Sequence, residues 1–222
     1  MNSKSTGGFV ISAMLFVLFI LFTLLVRQVD VQPIGPEGSS VGFAAVNGAV
    51  FSFFGTSMVL FKLAEYLGLF AILIAVGFVV TGLVQFFRRK SLWKVDHGIL
   101  LMGVLFAVTI VIYFLFEHIV INYRPIILEN ELEASYPSSH TLLVIVILGS
   151  AIIQFHRLFK GKKGLLLLLD IFPCILIVGT ILARLASGAH WLTDIIGGVL
   201  LACTLITLYY SFVVLLEPKA EN

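Results

Sequence analysis

Apolar runs, each about long enough to cross a bilayer, recur along this chain and limit its fold more than any other feature. They fall at about 8–26, 66–87, 98–120, 140–158, 165–184 and 193–215, and a helical span needs about 20 such residues. The expectation is an all-α polytopic membrane protein with six transmembrane helices. Composition agrees: only 12% of the 222 residues are charged and 60% are apolar, where a soluble domain carries about 25% charged residues. The net charge of +2 is small and spread out, so nucleic acid is not an expected partner.

The charge between the runs tests their number. Arg88, Arg89, Lys90 and Lys94 follow the second run, and Arg157, Lys160, Lys162 and Lys163 follow the fourth. By the positive-inside rule both loops are cytoplasmic, with Lys4 and the C-terminal tail on the same side. The loops after the first, third and fifth runs then face outward, and the second of these is acidic, with Glu129, Glu131 and Glu133. The first run is long for a signal-peptide core and no small-residue cleavage site follows it directly, so it reads as a retained span. Residues 42–64 are apolar but carry Asn47, Gly48, Ser52, Gly55, Thr56 and Lys62. A span there would put both basic clusters outside, so the segment is expected as an interfacial or re-entrant helix on the outer face. The whole of 1–222 is expected to form a single membrane-embedded domain. Cys174 and Cys203 lie inside apolar runs and read as small core residues.

Ionisable residues punctuate this hydrocarbon at one set of span ends. Arg184, His190 and Asp194 stand in the order Arg-x5-His-x3-Asp, Arg124 precedes Pro125, and Pro137-Ser138-Ser139-His140 leads into the fourth run. With six spans all of them land on the outer face, where a single site can hold them. Such residues are costly at a membrane border and raise a functional reading by default. His190 and Asp194 are four residues apart, which places them on one face of a helix beginning near the motif. A carboxylate on one ring nitrogen fixes the tautomer and frees the other nitrogen to attack. Arg124 and Arg184 can each fork two hydrogen bonds to phosphate oxygens. A serine N-cap before His140 would leave first-turn N–H groups free for an anion. Each element also has a plain structural use, as a helix cap, a macrodipole carboxylate or a snorkelling anchor. Their order, spacing and common face make the combination far more specific than any part.

At these residues the chain resembles the type 2 phosphatidate phosphatase superfamily of membrane lipid phosphatases, of the phosphatidylglycerophosphatase B and undecaprenyl-diphosphatase kind. That family's motifs run Lys-x6-Arg-Pro, Pro-Ser-Gly-His and Ser-Arg-x5-His-x3-Asp. The resemblance implies phosphoryl transfer through a phosphohistidine without a cofactor or metal. His190 would be the nucleophile, Asp194 its orienting carboxylate and His140 the proton donor. Arg124, Arg184, Ser138, Ser139 and backbone N–H groups would hold the phosphate. Three positions depart from the family: Ala183 replaces serine, Ser139 replaces glycine, and Glu117, seven residues before Arg124, replaces lysine. An anion there would repel phosphate unless Glu117 pairs with an arginine, or faces away while Lys62 substitutes.

The expected function is an integral-membrane lipid phosphatase acting on a phosphomonoester or diphosphate head group at the extracytoplasmic face of the cell membrane, both termini being cytoplasmic. Candidate substrates are phosphatidylglycerol phosphate, polyprenyl diphosphate and phosphatidic acid, with transfer to another acceptor as a variant. The alternative, motivated by Glu117, is a non-catalytic lipid-phosphate binder on the same fold. A small transporter is the weakest option, because charged residues in mid-span are missing apart from Asp170. The expected partners are the lipid phosphate and the bilayer, with no obligate protein partner. Gly197-Gly198 is expected to permit close helix packing, within the bundle or between chains.

Overall fold

A computed structural model describes residues 3–128 and 131–217. Glu129 of the acidic loop and the tail beyond 217 lie outside them. The described residues form helices joined by loops, without named strands: α1 (Ser3–Gln28), α2 (Ala44–Phe54), α3 (Met58–Arg89), α4 (His97–His118), α5 (Ser139–Leu158), α6 (Lys163–Ala186) and α7 (Leu192–Leu216). All except α2 are long and apolar enough to cross a membrane, which gives the six expected spans. Each starts or stops where local chemistry allows. Ser57 Oγ accepts from Leu60 N at the head of α3. Asp96 Oδ1 accepts from Gly98 N and Ile99 N at the head of α4. Such caps satisfy N–H groups that the first turn cannot.

Two boundaries differ from the sequence reading, both in the segment 42–64. The chain breaks at Gly55, whose φ is +66°, so this segment is a short helix, α2, followed by the first turns of α3. Helix α3 therefore starts eight residues before the apolar run read from 66, and its 32 residues reach about 48 Å at 1.5 Å each. A hydropathy reading measures the apolar run and is blind to helix that continues beyond it through Lys62 and Glu65. Helix α2 is fastened to the end of the bundle. Its buried Asn47 donates to Gly42 O at 2.8 Å and to Thr193 Oγ1 at 2.9 Å, and accepts from Thr193 N at 3.2 Å.

Helix α5 lies at the centre, packed against α3, α4, α6 and α7, while α1 runs along α7. The core between them contains Phe19, Met102, Leu142, Val146, Leu201 and Leu205. Outward faces keep large apolar side chains exposed, such as Met14, Leu73, Val111 and Leu168, as a lipid-facing surface requires. Up-and-down connectivity gathers the loops 29–57, 119–138 and 187–191 at one end. The basic residues after α3 and α5 gather at the other, where Arg157 bridges Asp96 at 2.9 Å and Glu217 at 3.2 Å.

Gly197 and Gly198 pack within the chain, against a loop. A Cβ on Gly197 would stand 2.6 Å from the Tyr136 ring, and one on Gly198 would stand 2.9 Å from Ser138 O. The glycine pair thus lets the turn before α5 sit directly on α7. Ser138 N completes this seam by donating to Asp194 O at 2.9 Å.

Candidate active site

The loop between α4 and α5 is shaped as a small two-strand tie. Arg124 N donates to Glu133 O at 3.0 Å and Ser135 N to Asn122 O at 2.9 Å, around an isolated bridge between Tyr123 and Ala134. Trp191 Nε1 donates to Tyr123 O at 2.8 Å and holds the tie to the start of α7. Arg124 is thereby carried over the end of the bundle. Glu133 grips its Nε at 2.7 Å, and Nη1 reaches His190 Nε2 at 3.2 Å.

An arginine can only donate, so His190 Nε2 is the acceptor in that contact and its ring proton belongs on Nδ1. Nδ1 faces Asp194 Oδ2 at 3.7 Å, within ion-pair reach but beyond hydrogen-bond range. The sequence reading placed both residues on one helical face. In the structure α7 begins at Leu192, so His190 stands before it, and Asp194 Oδ2 accepts from Trp191 N at 2.9 Å. Its other oxygen accepts from Asn122 Nδ2 at 3.2 Å. The carboxylate therefore caps the helix while it faces the imidazole. Burial holds His190 well below the ordinary imidazole range, and the Arg124 and Arg184 charges push the same way. A neutral ring with Nε2 unprotonated, its lone pair here taken by Arg124, is the form a nucleophile needs once that arginine turns to phosphate.

Across the site, His140 is the second residue of α5. Ser138 caps that helix through Thr141 N at 3.5 Å, and both the Ser138 side chain and its N–H are engaged within the protein. Arg184, in the last turn of α6, is 1% exposed, with its guanidinium 5.0 Å from the Phe61 ring centroid. His140 and Arg184 meet on a residue that the sequence reading passed over. Glu65 of α3 accepts from Arg184 Nη2 through Oε1 at 2.5 Å and lies 3.1 Å from His140 Nε2 through Oε2. Arg184 Nε and His140 Nδ1 are buried with no hydrogen-bond partner, an arrangement suited to an anionic ligand.

All the expected residues thus converge at one end of the bundle. Glu117 does not pair with either arginine. It is exposed on α4 and accepts from Tyr113 OH, and it lines a cavity of about 290 Å³ with Arg124, Glu133, Ser135 and Ser139. Lys62 is exposed on α3. A second cavity, of about 610 Å³, runs between α3, α4 and α5 along Leu69, Ile72, Phe106 and Ile147 and ends on Glu65 and His140. Three contributors were missed from sequence: Glu65, Asn122 and the pairing of Glu133. Glu65 was legible in principle, as a lone carboxylate at the head of an apolar run. Asn122 gave no signal.

Residues 66–217 match a family profile described as the PAP2 superfamily. No curated protein matches the chain. Among solved structures, the chain is similar to one described as the first transmembrane PAP2 type phosphatidylglycerolphosphate phosphatase from Bacillus subtilis. The TM-score is 0.70 at 16% identity, over 94% of this chain and 98% of that one.

Proposed function

Since this chain belongs to the PAP2 superfamily, we propose that it hydrolyses a lipid phosphomonoester or diphosphate head group through a phosphohistidine, at the outer face of the cell membrane. The observation that carries the reading is the environment of His190: a buried ring whose Nε2 lies 3.2 Å from Arg124 Nη1 and whose Nδ1 faces Asp194 at 3.7 Å. A nucleophile, its orienting carboxylate and a phosphate-binding cation are together in one place.

In the first step His190 Nε2 attacks phosphorus and forms the P–N bond. The bond from phosphorus to the lipid oxygen breaks, and that oxygen keeps the electron pair and takes a proton from His140. The Nδ1 proton stays on His190, where Asp194 stabilises the developing positive charge. In the second step water attacks phosphorus, gives a proton to His140, and the P–N bond breaks to release inorganic phosphate. Arg124 and Arg184 hold the equatorial oxygens as charge redistributes, the largest electrostatic contribution in such a transfer. Ser139 and the first-turn N–H groups of α5 add donors. Ser138 serves first as the cap. The apolar cavity ending on His140 is where a lipid would keep its hydrocarbon while presenting its phosphate.

The outer-face assignment rests on the basic residues at the opposite end of the bundle. Phosphatidylglycerol phosphate, the substrate class in the name of the similar Bacillus structure, leads the candidates, before polyprenyl diphosphate and phosphatidic acid. The test is inorganic phosphate release by the detergent-solubilised protein with EDTA present, on those lipids, beside His190→Ala. Release that disappears in the variant is the expected result. Equal release by His190→Ala would overturn the mechanism, and no release from any lipid would leave the binder alternative raised by Glu117.

A further inference from the structure

Glu65 lies one residue outside the matched family region and in none of the sequence motifs, yet its carboxylate touches two members of the site. Oε1 accepts from Arg184 Nη2 at 2.5 Å and Oε2 stands 3.1 Å from His140 Nε2. It reaches them because α3 continues two turns beyond its apolar run. Gly68, one turn further along, keeps α3 close to the ring: a Cβ there would stand 3.5 Å from His140 Cδ2. The arrangement repeats the logic of Asp194 and His190 with the other nitrogen. At His190 the carboxylate faces Nδ1 and Nε2 is left for chemistry; at His140 the carboxylate holds Nε2, and Nδ1, buried without a partner, is left.

The charges around His140 come from several elements. Arg184 on α6 shares the Glu65 carboxylate with it, and Arg124 on the 119–138 loop and the His190 ring before α7 lie together across the site. Glu65 on α3 is the carboxylate that offsets them. A proton donor between two cations needs such an anion to keep its proton.

We propose that Glu65 is a positioning residue for the reaction, tying His140 to Arg184 and favouring the protonated imidazole that the departing lipid oxygen requires. The proposal rests on the phosphohistidine reading above. The Glu65 side chain is 45% exposed, so solvent screens the pair, and the effect on His140 is about one pH unit rather than several.

The experiment compares the detergent-solubilised full chain with Glu65→Gln and Glu65→Asp. In turnover of whichever lipid the wild type hydrolyses, Glu65→Gln lowers kcat about 10- to 100-fold, leaves KM within about threefold, and moves the alkaline limb of kcat about one unit lower. Glu65→Asp restores much of both. The second measurement needs no turnover: imidazole NMR of histidine-labelled protein, with the His140 signal assigned by His140→Gln. In Glu65→Gln, or in Glu65→Ala if the glutamine variant does not fold, His140 titrates about one unit lower than in the wild type. An unchanged His140 titration, or a kcat and pH profile equal to wild type while His190→Ala is inactive, would overturn the role of Glu65. Activity that survives in His190→Ala would overturn the phosphohistidine reading instead.

Discussion

His190 combines a buried ring, two nearby guanidinium groups and a carboxylate, and each has a measurable consequence. Because burial lowers its proton affinity below the ordinary value of 6.5, the folded protein carries it neutral where the unfolded chain begins to protonate it. The unfolded state then binds more protons as pH falls, so the stabilisation is fully present above about pH 6.5 and is lost below it. Melting of the detergent-solubilised protein between pH 7.5 and 5 should show a steeper fall in Tm for the wild type than for His190→Gln. Parallel curves would mean the ring is not held neutral. Asn122 is the quieter partner. Its amide donates to Asp194 Oδ1 at 3.2 Å and is buried, and removing it leaves a carboxylate oxygen short of a donor at a cost of about 1–3 kcal/mol. Asn122→Ala should lower kcat about tenfold with little change in KM, measured on the same lipid. A rise in KM alone would place Asn122 with substrate binding. The histidines, arginines and Asp194 were legible because their spacing is rigid along the chain. Glu65 offered only a lone carboxylate at the head of an apolar run and Asn122 offered nothing, since what makes them matter is which helix ends and loops meet in space.

At the level of elements, the site depends on how closely the turn before α5 approaches α7. Gly197 permits this approach, because a methyl group there would run into the Tyr136 ring at 2.6 Å. Tyr136 cannot simply swing away: it is 1% exposed and its OH is bonded to Thr23 Oγ1 at 2.7 Å. Gly197→Ala should therefore destabilise by about 1–3 kcal/mol, push Ser138 off Asp194 and shift His140 with it, lowering both Tm and kcat. Tyr136→Leu added to Gly197→Ala should recover part of the Tm. Failure of the double variant to recover any would locate the strain elsewhere. The six spans were readable from apolar length, and the charge between them set the alternation. The division of 42–64 into α2 and the head of α3 was not readable, because Gly55 breaks the helix at a point where hydropathy does not change. Nor was the tie from Asn122 to Ser135, which is built from backbone hydrogen bonds and carries little side-chain signature. Gly197-Gly198 was recognised as a close-packing site, but its partner, a loop rather than a helix, came from the fold.

For the whole molecule, the two ends of the bundle differ in a way the membrane can read. One end holds the paired arginines, Arg124 with Glu133 and Arg184 with Glu65, whose charge is largely balanced within the site. The other holds Arg88 and Arg89 in the last turn of α3, Lys90 and Lys94 after it, Lys160 and Lys162 between α5 and α6, and Lys163 at the head of α6, cations of the type that stays cytoplasmic at span ends and short loops. Moving that end across the bilayer would carry these charges through hydrocarbon, so the proposed orientation keeps the basic end cytoplasmic and the site outward. Single cysteines make the test, introduced where Cys174 and Cys203 have been replaced by alanine. Ser40→Cys, in the exposed loop before α2 at the site end, should react with a membrane-impermeant thiol reagent in intact cells. Lys160→Cys, at the basic end, should react only after the membrane is permeabilised. The reverse pattern would put the phosphate site in the cytoplasm and confine its substrates to the inner leaflet, whatever the chemistry at His190. Labelling of both positions in intact cells would mean mixed insertion. The basic loops would then be too weak to set direction, and added lysines after α5 should bias it.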